Sequence, residues 1–133
     1  MAEYLLKEAL KGKAVHIASA GIHAEQGQPA DPTVVKIHKE QGLAGVEQHR
    51  SQPVVTNMID QFDLYLGMEQ HHLHDLQHIM PSVTGRAYLF GHWIGQEIAD
   101  PYQLPEAHYH VAQAQIAEAA QAWVAHLPRL GLL

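Results

Sequence analysis

Short apolar runs suited to strands alternate along this chain with longer helical stretches, and the series opens on a helix. Ala14–Ala18, Asp63–Met68 and Arg86–Phe90 are the strand candidates. Ala2–Lys11, the stretch from Asp31 to Gly42, Glu69–Met80 and Glu106–Leu127 are the main helical ones. Such alternation predicts an α/β domain with a mostly parallel sheet, because parallel neighbours must be joined by a crossover element. A crossover unit begins with its strand. An opening helix therefore reads as the second half of a βα unit, and a first strand is expected to be missing from these 133 residues. The expected architecture is three layers, a short parallel sheet flanked by helices.

Local signals place the ends of these elements. The opening helix is built from Ala, Glu, Leu and Lys, stops at Gly12, and has nothing upstream to cap its first N–H groups. Asp31 followed by Pro32 reads as an N-cap and N1 pair. Thr56 is expected to cap a short helix ending near Phe62, and Pro81 stops the helix that begins at Glu69. In the longest helix Tyr109, Ala112, Ile116, Ala119, Trp123 and Leu127 form an apolar stripe at three- and four-residue spacing.

Composition narrows the function classes. The length fits one domain, residues 1–133, of a size that buries roughly two-thirds of its unfolded surface. No apolar run approaches the ~18–20 residues that span a bilayer, and no secretory signal pattern is visible, so the chain is read as cytoplasmic without membrane insertion. A net charge of -6 argues against nucleic-acid binding, which relies on clustered Lys and Arg. Zero cysteines exclude disulfides and thiolate metal sites.

Twelve histidines are present, and at 100° per residue His71, His74 and His78 share one helical stripe opposite Leu73, Leu76 and Met80. His at i, i+4 can chelate Zn, Ni or Cu, but no Asp, Glu or Cys is placed by sequence to close a shell. The stripe is read as a solvent-facing surface, with no metal and no cofactor expected. Protonating all twelve takes the formal charge from -6 to +6, so solubility should vary strongly near the ordinary His pKa of ~6.5.

A series of short motifs carries a resemblance. Ser19-Ala20-Gly21, Pro29-Ala30-Asp31-Pro32, His49-Arg50-Ser51, Leu89-Phe90-Gly91-His92-Trp93 and Ile98-Ala99-Asp100-Pro101-Tyr102 occur in that order. With Ala2-Glu3 at the opening helix, they resemble the low-molecular-weight protein tyrosine phosphatases. Arg86 through His92-Trp93 to Asp100-Pro101-Tyr102 suggests the bacterial branch that acts on tyrosine autokinases of capsule and exopolysaccharide export.

The resemblance implies a phosphotyrosine protein as partner and hydrolysis through a phospho-cysteine. In that family a Cys thiolate in a Cys-x5-Arg loop attacks phosphorus, and the loop ends just before the Ala-Glu pair. Asp100 corresponds to the acid that protonates the departing tyrosyl oxygen and then activates water, and Tyr102 to the wall that stacks on the substrate ring. Ser19 and His49 correspond to side chains that support the phosphate loop, and His23 to Gln28 to the variable rim. Where the family often has an Arg-Gln pair after that His, this chain has Gln52-Pro53.

The nucleophile and its loop are absent from the sequence, so the chain is expected to be inactive as it stands. The resemblance puts the missing strand at the centre of the sheet, between Ala14–Ala18 and Asp63–Met68, which leaves a slot open to self-association. A binding-only pseudophosphatase that holds phosphotyrosine proteins, and a His-based metal-binding module, remain as alternatives.

Overall fold

The computed structural model describes residues 1–133. At its centre β1 (Tyr65–Gly67) pairs in parallel with β2 (Ala87–Leu89), with Tyr65 opposite Ala87, Leu66 opposite Tyr88 and Gly67 opposite Leu89. Four α-helices surround this pair: α1 (Ala2–Ala9), α2 (Pro32–Glu40), α3 (Gln70–Ile79) and α4 (Glu106–His126). The α3 helix is the crossover between the two strands.

Alternation along β1 sorts side chains into two layers. Leu66 packs beneath α4 with Phe90, Ile98, Ala112, Ile116 and Ala119, and α1 adds Leu5 and Leu6 to the same core. Tyr65 points the other way, toward Leu76, Met80 and Val83. Gly67 lets α3 lie close to the strand, since a Cβ there would sit 3.0 Å from Leu73 Cδ2 and 3.3 Å from His72 Cβ. The expected three-layer α/β arrangement is present.

The helix starts follow local chemistry. Asp31 Oδ1 accepts the Thr33 N–H at 2.9 Å, with Pro32 in the first turn, as the sequence predicts. At α3, Glu69 and His72 form a reciprocal capping box in which His72 Nδ1 accepts the Glu69 N–H at 3.1 Å. The α4 stripe is buried as predicted, and Gln113 and Ala120 are buried beside it because α4 packs on both α1 and α2. Trp123, 1% exposed, donates its indole N–H to the Phe90 carbonyl at 2.7 Å.

Three expectations need correction. Thr56 begins a 3-10 turn, Thr56–Asp60, but Val55 precedes it as N-cap and no side chain caps it. The strand expected over Asp63–Met68 pairs only over Tyr65–Gly67, where it is half-buried. Most telling, Ala14–Ala18 belongs to no sheet; the first bridge beyond it is a lone parallel one between Gly21 and Pro53. A strand exists only through its ladder, and this segment has no partner beside it.

Instead, an apolar cleft of about 590 Å³ separates residues 14–21 from β1, lined by Leu6, Leu10, Ile17, Leu64, Leu66 and Trp123 among others. In a parallel ladder alternate residues direct their peptide groups to the same neighbour. Gly67 faces β2, accepting the Phe90 N–H at 2.7 Å, and Tyr65 donates to the Arg86 carbonyl at 2.9 Å. The peptide groups of Leu64 and Leu66 therefore face the cleft.

Candidate active site

One end of the cleft reaches Glu3, Ser19 and Gln52. The Glu3 carboxylate is the hub there. Ser19 Oγ donates to its Oε1 at 2.5 Å, Lys7 Nζ donates to Oε2 at 2.6 Å, and His49 Nδ1 stands 3.6 Å from Oε1. Burial alone would raise this carboxyl, but donation from Lys7 and Ser19, with the charges of Lys7 and His49, outweighs it and holds the group below its ordinary range. A hydrogen bond of 3.0 Å joins the Tyr4 hydroxyl to His49 Nδ1, and the two rings meet edge to face.

Ser19 and His49, thirty positions apart, thus meet on a third residue. Sequence reasoning used Glu3 only as a landmark and overlooked Tyr4. The four-residue spacing of Glu3 and Lys7 signals their pairing, but nothing local signals that Ser19 folds back to Glu3.

The 49–54 segment also grips the loop that follows Ser19. Gln52 Nε2 donates to the Ser19 carbonyl at 3.0 Å, and the Gly21 N–H donates to the Gln52 carbonyl at 3.0 Å. Ser51 is bonded three ways: its N–H to the Gln28 carbonyl, its carbonyl to the Gly27 N–H, and its Oγ between the Gln28 N–H and the Glu25 carbonyl. Gln52-Pro53, the departure noted in the sequence, is therefore part of the support for residues 19–28.

Asp100 and Tyr102 lie on a separate exposed loop between β2 and α4. Asp100 Oδ1 accepts the Tyr102 N–H at 3.0 Å, an Asx turn that fixes the carboxylate and leaves Oδ2 without a protein partner. Tyr102 is 61% exposed. No hydrogen bond or ion pair joins this loop to the Glu3–Ser19–His49 group.

His71, His74 and His78 are exposed, opposite buried Leu73, Leu76 and Met80. The ligand atoms that do approach one another belong to Glu69, His71 and His72, all within 4.8 Å. His72 Nδ1 already accepts the Glu69 N–H, which leaves its proton on the other ring nitrogen, and the Glu69 carboxylate serves the same cap. Binding a metal there would break the start of α3, so this set does not fit a resident ion.

Known proteins match this arrangement over nearly the whole chain. The family described as low molecular weight phosphotyrosine protein phosphatase matches residues 1–130. The probable low molecular weight protein-tyrosine-phosphatase AmsI of Erwinia amylovora is 41% identical over 128 residues, which is 96% of this chain and 87% of that protein. The phosphatase Etp of Escherichia coli K12 is 34% identical over 96% of this chain and 84% of its own length.

Among solved structures, Vibrio vulnificus Wzb in complex with benzylphosphonate superposes with a TM-score of 0.88 at 40% identity, covering 95% of this chain and 88% of that one. Wzb from Escherichia coli K30 in complex with sulphate gives 0.88 at 31% identity, covering 95% and 87%. With the ordered motifs of the sequence standing on the matching fold, the chain belongs to the low molecular weight phosphotyrosine protein phosphatase family.

Proposed function

We propose that this domain is built for hydrolysis of protein phosphotyrosine, and that its 133 residues supply the acid, the rim and the loop support but not the nucleophile. The observation that carries the reading is the Asp100 carboxylate, pinned by the Tyr102 N–H on an exposed loop with Oδ2 free to meet a substrate. A Cys thiolate would attack phosphorus while the tyrosyl oxygen leaves with the Asp100 proton. Water, deprotonated by the resulting carboxylate, would then cleave the phospho-cysteine and release phosphate. The acid is needed because a phenol with a pKa of about 10 leaves poorly as its anion. Tyr102 walls the mouth, and Ser19 and His49 brace the phosphate loop through Glu3.

The cleft between residues 14–21 and β1 supports a place for the strand that would carry that loop. It presents unpaired peptide groups at Leu64 and Leu66, and one end opens at Glu3 and Ser19. Left unfilled, the same slot favours self-association. The Wzb relative that takes benzylphosphonate supports an aryl phosphate as substrate. The partner is a tyrosine-phosphorylated protein, with a bacterial tyrosine autokinase of polysaccharide export as the specific case, and the setting is the cytoplasm.

A binding-only role is the second reading, favoured by the absence of any cysteine. Assays of the chain with phosphotyrosine peptides, para-nitrophenyl phosphate and buffer blanks test both readings. No turnover is the expected result. Micromolar peptide binding without turnover favours the second reading. Turnover abolished by Asp100→Asn would overturn the claim that the nucleophile is absent.

A further inference from the structure

Residues 23–28, the rim of the proposed site, are held from one side by Ser51. Glu25, Gln26, Gly27 and Gln28 are all exposed, so no buried side chain fixes the turn they form. Gly27 stands at its third position with φ at 82°, a left-handed setting that suits glycine there. Such a turn is ordinarily closed by the fourth residue's N–H on the first residue's carbonyl. Here the Ser51 hydroxyl stands between the two. The Gln28 N–H donates to Ser51 Oγ at 3.0 Å, and Oγ donates to the Glu25 carbonyl at 2.5 Å.

Ser51 comes from the segment that braces the site. It lies two residues after His49, whose ring stands against Glu3. Arg50, between them, pairs with Pro29 in a lone antiparallel bridge, and its Nη1 donates to the His49 carbonyl at 2.7 Å. The backbone of Ser51 adds two bonds to the same turn, giving its N–H to the Gln28 carbonyl and accepting the Gly27 N–H, each at 2.7 Å. Three consecutive residues, 49–51, therefore serve both the loop support and the rim.

We propose that Ser51 is a positioning residue for the rim: its hydroxyl completes the Glu25–Gln28 turn and fixes the face that a phosphotyrosine peptide meets relative to His49. The inference rests on the reading of this domain as a phosphatase with residues 23–28 at its rim, but it concerns the order of the turn. A hydroxyl suits the place because one atom donates and accepts at once. Alanine would leave the Glu25 carbonyl and the Gln28 N–H to water. If the backbone bonds of Ser51 sufficed, the turn would be indifferent to its hydroxyl.

Amide exchange with solvent on the 15N-labelled chain separates the two. Gly21 and Val54 are the near references, their N–H groups bonded to the Gln52 and Gly21 carbonyls at 3.0 and 3.1 Å. The α4 amides of Ile116, Ala119 and Trp123 are the distant ones. In Ser51→Ala, exchange at Gln28 should quicken about 3- to 10-fold relative to both sets, the usual worth of one hydrogen bond. Residue 51 is no sequence neighbour of Gln28, so the intrinsic rate of that amide is unchanged. Ser51→Thr keeps the hydroxyl and should stay within about twofold of the unsubstituted chain at Gln28.

Unchanged exchange at Gln28 in Ser51→Ala would overturn the proposal. So would a rise shared equally by Gly21, Val54 and the α4 amides, including the case in which every amide exchanges at one global rate. Ser51→Thr exchanging as fast as Ser51→Ala would also overturn it, because the hydroxyl would then not be what holds the turn. These rates depend on neither Asp100 nor a nucleophile. A failure of the phosphatase reading would therefore appear in turnover or peptide binding and not here.

Discussion

His38 is the residue whose chemistry sits least easily in this fold. It is fully buried on α2, and neither ring nitrogen has a hydrogen-bond partner, nor does the nearby Gln113 carbonyl oxygen. Burial, with help from the positive Met1 amine, lowers its pKa from 6.5 to about 4. The folded state therefore resists a proton that the unfolded chain takes up readily. Stability is full above the unfolded value and falls as pH drops from 6.5 toward 4, by an amount on the order of 3 kcal/mol.

Glu3 acts in a lower window. Its depressed carboxyl stabilises the fold above its ordinary 4.5 and loses that contribution as pH falls further. Urea unfolding at pH 7.5 and pH 4.5 should show most of the wild-type loss removed in His38→Leu. An equal loss in both proteins would contradict this account of the buried imidazole. Neither residue was legible in the sequence, where His38 is one of twelve histidines and Glu3 looks like an ordinary helix surface position.

Elements were legible where the signal is local and obscure where it depends on a neighbour. Asp31-Pro32 announces α2, and the apolar stripe announces α4, because capping and periodicity act within a few residues. Ala14–Ala18 has the composition of a strand, yet only a second strand beside it could make it one. The burial of Gln113 likewise depends on α2 lying across α4, which no spacing within α4 reveals. The cleft beside β1 leaves the peptide groups of Leu64 and Leu66 without a neighbouring strand. The chain should therefore self-associate at tens of micromolar or melt broadly. Sedimentation velocity across a concentration series, with thermal melting, checks this; a monodisperse monomer with a sharp transition well above 60 °C would contradict it, since ordinary domains cluster at about 45–65 °C.

At the scale of the whole molecule, the two parts of the candidate site stand on different elements: Glu3, Ser19 and His49 at the end of the cleft, Asp100 and Tyr102 on the loop before α4. No hydrogen bond or ion pair joins them. The central claim is that a strand in the cleft, carrying a Cys-x5-Arg loop, completes the site. The direct measurement is phosphatase turnover after adding an N-terminal extension of roughly five apolar strand residues followed by such a loop. Turnover should appear together with a sharpened thermal transition, and Asp100→Asn in the extended protein should lower it by about 10²- to 10⁴-fold, most for poor leaving groups such as phenyl phosphate. An extended protein that folds and binds phosphate yet turns over equally well with Asp100→Asn would contradict the assignment of the acid, and one that gains neither stability nor activity would contradict the role of the cleft.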